Sequence, residues 1–124
     1  MLRVFFQIIF LLLLALYIYL GVISIPRDVL ANNKDLLAHA IGYFILIITG
    51  FLAYSPRIAW QFLIIGLLLF SLLIECIQYF LPWRSFSWLD MLANGSGLLL
   101  GLIACRLAKK LWLNRLLGRE DSYL

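Results

Sequence analysis

The stretch from Glu75 to Gly101, ECIQYFLPWRSFSWLDMLANGSGLLLG, decides how this chain folds. On its left it closes a long apolar run, Ile58 to Leu81, and on its right it opens another, Leu89 to Leu107. Between them, Pro82 to Trp88 makes a short turn that holds one arginine and two serines. The polar residues follow a helical period. Glu75, Gln78 and Tyr79 stand at i, i+3 and i+4, so they share one face of the first helix. Asp90, Asn94, Gly97 and Gly101 stand at i, i+4, i+7 and i+11, again on one face of the second. A tight turn makes the two helices antiparallel neighbours. At a rise of about 1.5 Å per residue, Glu75 and Asn94 each lie about 9 Å from that turn. The spacing therefore predicts one polar pocket, at a single depth, between the two helices.

Composition places this hairpin in a membrane. The chain has 124 residues, of which 65% are hydrophobic and only 13% charged, and its mean hydropathy is +1.05. Soluble domains are closer to half apolar and could not bury so much surface. Four apolar runs, about 4–25, 36–54, 58–81 and 89–107, are each long enough to cross a hydrocarbon core of about 30 Å. The expectation is an all-α, four-transmembrane-helix bundle forming a single domain over residues 1–124. The net charge of +4 comes from basic residues that flank these runs, which disfavours a nucleic-acid partner. Cys76 and Cys105 fall inside apolar runs and read as reduced packing residues.

Along the chain, the first run follows a single Arg3 but is too long for a signal peptide and lacks a small-residue cleavage site, so it is expected to stay as a helix. It carries no ionisable residue besides its tyrosines, Tyr17 and Tyr19, and its predicted role is packing and anchoring. Pro26 ends it, and PRDVLANNKD forms a polar loop. In the second run Asp35, His39 and Tyr43 recur every four residues as one stripe, while Gly42 and Gly50 leave room for a close neighbour. Ser55-Pro56-Arg57 turns the chain into the third run, where Ser71 sits one turn before Glu75. In the fourth, Gly97-x-x-x-Gly101 continues into Ala104 and Ala108 as a stripe suited to close helix packing. Arg106, Lys109, Lys110, Arg115 and Arg119, interleaved with leucines and Trp112, predict a basic amphipathic C-terminal tail lying in the membrane interface.

Seven basic residues at the amino terminus, second loop and tail stand against three in the first and third loops, which predicts both termini in the cytoplasm. Lys34, Asp35, His39, Glu75, Arg84 and Asp90 then all lie toward the outer face. An ionised side chain at mid-membrane costs about 2.5–3.5 kcal/mol, less toward the interface, so pairing or function must retain His39, Glu75 and Asp90. These three are the candidate catalytic groups. Lys34, Asp35, Tyr43, Gln78, Arg84, Ser87 and Asn94 are the candidate substrate-binding groups, with Arg84 and Lys34 as cations for a phosphate or other anion. His39 can act as acid, base or nucleophile if a carboxylate such as Asp35 or Glu75 orients it. No metal-ligand spacing motif appears, so no metal or other cofactor is expected; His39, Glu75 and Asp90 form the set that would hold one.

Plainer roles compete at each position. Ser87 with Asp90 resembles a helix N-cap, Gly97 and Gly101 read as packing, and Tyr79, Trp83 and Trp88 fit an interfacial aromatic belt. Arg84 with Glu75 and Asp90 would make an ion-pair network that only holds the helices together. A transporter is disfavoured, because the other half of the bundle offers little polarity beyond Gln61 and Thr49.

Three pieces carry a resemblance. They are K-D-x-x-x-H-x-x-x-Y at Lys34 to Tyr43, E-x-x-Q at Glu75 and Gln78, and R-x-x-S-x-x-D-x-x-x-N-x-x-G at Arg84 to Gly97. In this order the chain resembles the VanZ-like family of small bacterial membrane proteins, over most of its length. The resemblance implies an envelope protein of the bacterial cytoplasmic membrane, linked in some members to glycopeptide (teicoplanin) sensitivity, with no settled reaction. Together the residues and the resemblance lead to two expectations. One is a membrane-embedded binder or enzyme acting on a phosphate-bearing lipid or cell-wall precursor at the outer leaflet; the other is a non-catalytic scaffold or accessory subunit.

Overall fold

All three prolines, which cannot donate a backbone hydrogen bond, fall between the apolar runs, and each run is free to close into a helix. The computed structural model describes residues 1–23, 34–55 and 57–120, with side chains as far as Trp112. Among these, four helices follow in order: α1 (Leu2–Val22), α2 (Lys34–Tyr54), α3 (Trp60–Tyr79) and α4 (Trp88–Glu120). Each is long and apolar enough to cross a membrane, and no strand is present among the described residues. Helices suit lipid because they satisfy their backbone groups internally. The loop containing Arg27 and the side chains of Arg115 and Arg119 lie outside the described residues.

The helix ends depart from the apolar runs where local bonding, rather than hydropathy, sets them. Lys34 and Asp35 belong to α2, whose positive N-terminal dipole favours an acidic first turn. Ile58 and Ala59 are spent on the turn after α2, where the backbone N–H groups of Arg57 and Ile58 both bond to the Tyr54 carbonyl. Phe80 and Leu81 close α3 with tighter bonds to Ile77 and Gln78 instead of continuing it. The basic tail is not a separate element: α4 runs unbroken for 33 residues. At about 1.5 Å per residue that is about 50 Å, well beyond a hydrocarbon core of about 30 Å.

Helix α2 is the hub, packing against each of the other three and most extensively against α4. Its buried side chains Tyr43, Leu46 and Ile47 join Phe10, Leu67 and Leu98 in the core. Lipid supplies little hydrophobic drive for helix association, so close backbone approach must do the holding. Glycines permit it. A Cβ on Gly97 would collide with the Ala40 carbonyl, and one on Gly101 with Ile47 and the Phe44 carbonyl. Gly42 admits the Tyr17 ring, and Gly50 admits Phe10 and Leu63. The outward faces carry Phe62, Leu69, Leu92 and Leu99, all exposed, as a lipid-facing surface requires.

Helix C-termini present carbonyls that a bilayer cannot hydrate. At one end of the bundle Arg3 reaches from α1 to the end of α2, donating to the carbonyls of Ala53 (3.0 Å), Tyr54 (3.2 Å) and Ser55 (3.0 Å). At the other end, three donors from the end of α3 and the turn after it serve α1. Gln78 Nε2 donates to Gly21 O (3.1 Å), Trp83 Nε1 to Val22 O (3.0 Å) and Arg84 Nη2 to Leu20 O (2.8 Å). These bonds fix α1 beside the polar end of α2 and α4.

Two glycines on α4 allow a controlled comparison. Gly97→Ala should cost about 1–3 kcal/mol by overpacking against Ala40. Gly95→Ala, with nothing near its Cβ, should be neutral or gain up to about 1 kcal/mol. Equilibrium unfolding in mixed micelles measures both; equal losses would show that the α2–α4 contact does not depend on Gly97.

Candidate functional site

The polar groups gather where α1 and α3 end and α2 and α4 begin. Asp35 lies in the first turn of α2 and Asp90 in the first turn of α4, so two positive helix termini converge here. His39 stands one turn into α2 between them. Its Nε2 is 3.7 Å from Asp35 Oδ1 and 3.6 Å from Asp90 Oδ2. Its Nδ1 is 3.1 Å from Asn94 Oδ1, and Asn94 Nδ2 donates to Ser71 Oγ at 2.7 Å. An amide oxygen only accepts, so Nδ1, with Asn94 Oδ1 opposite it, carries a hydrogen and donates. Nε2 faces the two aspartates.

Glu75 has a different partner. It is 1% exposed, and its Oε2 accepts the backbone N–H of Ser87 at 2.9 Å. Ser87 Oγ in turn accepts the backbone N–H of Asp90 at 3.2 Å. Ser87 is thus an N-cap, but the reciprocal half of the capping box comes from Glu75 on the neighbouring helix. Asp90 is freed to turn toward His39.

Beside this cluster a cleft of about 180 Å³ opens between α1, α2 and α3. Tyr17, Leu20, Gly21, Ala38 and Ile74 form its apolar walls, and Asp35, His39, Gln78 and Arg84 supply its polar lining. Arg84 spends Nη2 on the end of α1, but its buried Nε has no partner among the described residues.

The structure thus joins Asp35, His39, Asp90 and Asn94 in one cluster, and sets Gln78 and Arg84 on the cleft next to it. Glu75 and Ser87 pair with each other at the cap of α4. Tyr43 is wholly buried in the core, its hydroxyl without a hydrogen-bond partner among the described residues. Lys34 is exposed at the start of α2 and is not part of the lining of this cleft. Two readings from spacing need revision. Asn94 pairs with Ser71, one turn deeper than Glu75, because α3 stops at Tyr79 and the turn places Glu75 nearer the end than Asn94. The ion-pair network of Arg84 with Glu75 and Asp90 is absent among the described residues, because the unsatisfied end of α1 claims the guanidinium instead. The set whose ligand atoms lie within 4.8 Å of one another is Asp35, His39 and Asp90, with Asp35 where Glu75 stood in the sequence reading.

The sequence reading overlooked Tyr17. Its hydroxyl donates to the His39 carbonyl at 3.2 Å, and its ring packs edge-on against His39 and Tyr43. The available signal was a tyrosine hydroxyl inside an apolar helix, which usually finds a partner when buried.

No curated protein and no solved structure matches this chain. The family model described as VanZ/LLP1 matches residues 3–109, which reaches from α1 into α4 and includes every residue of the site. With most of its length matched, and with the three polar motifs falling at one end of the bundle, the chain belongs to the VanZ/LLP1 family.

Proposed function

We propose that this protein binds a phosphate-bearing lipid or lipid-linked cell-wall precursor in the cleft between α1, α2 and α3. The site would face the outer leaflet of the bacterial cytoplasmic membrane, with both termini cytoplasmic, and its occupancy would influence glycopeptide (teicoplanin) sensitivity. The observation that carries this reading is the division of the cleft into apolar walls and a polar lining. An amphiphile presents the same division, with hydrocarbon below and a headgroup above. A phosphate suits the lining because Arg84 keeps a buried, unpartnered Nε–H, and because α2 and α4 both direct their N-termini to this end. His39 lines the cleft where such a headgroup would lie.

A scaffold role has its own support. Gln78, Arg84 and Glu75 all bond to backbone groups at helix ends. Stability and binding measured on the same variants separate the two readings. Glu75→Leu should cost roughly 1–3 kcal/mol by leaving the Ser87 N–H without its acceptor. His39→Gln should keep the melting temperature in detergent while losing the teicoplanin phenotype in a susceptible bacterial host. A phenotype that falls only in step with folded protein supports the scaffold.

Binding itself can be read with phosphatidic acid, diacylglycerol and inorganic phosphate presented to the protein in nanodiscs or detergent. Phosphatidic acid should bind best, and Arg84→Gln should weaken it roughly tenfold, as loss of a charge-assisted hydrogen bond implies. Equal affinity for diacylglycerol would remove the phosphate from the proposal, and equal affinity for inorganic phosphate would remove the lipid.

Topology has a separate test. In a background lacking Cys76 and Cys105, a cysteine at Ser85 should react with an impermeant thiol reagent in intact cells, and one at Ser122 should not. The opposite pattern would turn the site toward the cytoplasm.

A further inference from the structure

Asn94 Oδ1 holds a hydrogen of His39 on Nδ1, so a neutral ring turns its Nε2 lone pair toward Asp35 and Asp90. Three acceptors then converge on one point, with no donor between them among the described residues. A lone pair facing two carboxylates is repulsive until a positive charge or a donor lies among them. A proton, a bridging water or a metal ion would relieve it, and the distances fit the ion. An imidazolium would draw a carboxylate to about 2.7–2.9 Å, whereas Nε2 stands 3.7 and 3.6 Å from the two oxygens. Ligands bound about 2.0–2.1 Å from a tetrahedral ion lie about 3.4 Å apart.

We infer that Asp35, His39 and Asp90 form a divalent-cation site at the mouth of the cleft. One imidazole and two carboxylates suit Mn²⁺ or Zn²⁺. Asn94 is the positioning residue: it fixes the tautomer and the ring plane, as the outer partner of a metal-bound histidine does, and Ser71 fixes Asn94 in turn. Asp35 and His39 also line the cleft, so an open coordination position would face its contents. Without an ion, Asp35 on that lining would repel a phosphate; with one, the metal would bridge phosphate and protein. That role rests on the lipid reading proposed above, whereas the ligand geometry stands apart from it.

The test uses the full chain in detergent, stripped with EDTA and then titrated with Mn²⁺, read by electron paramagnetic resonance, and with Zn²⁺, read by calorimetry. Wild type should bind one ion per chain. Asp90→Asn and Asp35→Asn should each weaken binding by more than about 100-fold, and Asn94→Ala by about 10–100-fold, the range for loss of a metal's outer partner. Ser96→Ala, on the exposed side of α4, should bind as wild type does. Asp35 lies in the first turn of α2 with its side chain 30% exposed, so its variant reports on the ligand even if Asp90→Asn fails to fold. Absence of saturable binding by wild type, or wild-type affinity in a folded Asp35→Asn protein, overturns the inference. Repeating the phosphatidic acid titration with and without Mn²⁺ keeps the two proposals apart. Lipid bound equally in EDTA by a protein that takes no ion overturns the metal site alone. An ion bound by a protein indifferent to phosphatidic acid overturns the lipid reading alone.

Discussion

The approach of α2 to α4 at Gly97 is the constraint on which the site depends. Gly97 has the Ala40 carbonyl where its side chain would be. His39 is the neighbour of Ala40 in sequence, and Asn94 stands one helical turn before Gly97. Bringing those two backbones together therefore brings the imidazole onto Asn94 at 3.1 Å, and one turn further out onto Asp90 at 3.6 Å. A wider separation would break the first contact before it disturbed the hydrophobic core. The small-residue stripe and the polar cluster, which look like separate features in the sequence, are two consequences of one helix crossing.

A second constraint sorts the remaining polar residues. Helix ends carry carbonyls with no intrahelical partner, and these compete for the donors within reach. Arg3 goes to the end of α2; Gln78, Trp83 and Arg84 go to the end of α1. Thr49 shows the same economy in the opposite half of the bundle, its hydroxyl bonding back to the Ile45 carbonyl at 2.8 Å.

Much of this was legible in the sequence, for a physical reason. Helical faces are fixed by a period of 3.6 residues, so the stripes of Asp35 with His39 and of Asp90 with Asn94 needed only counting. What counting does not give is the register between helices. Asn94 meets Ser71 and not Glu75, because α3 ends at Tyr79 and the turn is not shared equally between the two helices. Charge matching misled for Arg84, since a carbonyl at the end of α1 was the nearer demand. Tyr17 was overlooked because its helix carries no other polar group at that level, and only the fold brings it to His39.

The direction of the helices then sets the character of the site. In an up-and-down bundle each end receives two helix starts and two helix ends. Starts favour acidic side chains, and here they carry Asp35 and Asp90. Ends consume donors, and here α1 takes most of what α3 and the following turn can give. Acidic groups are thus left over while most of the amide and guanidinium donors are taken, Arg84 keeping its Nε–H. Glu75, spent on the Ser87 N–H, deepens the imbalance, because it releases Asp90 from capping its own helix. An end of the bundle built this way is rich in acceptors around a single imidazole, the setting that the proposed cation would enter.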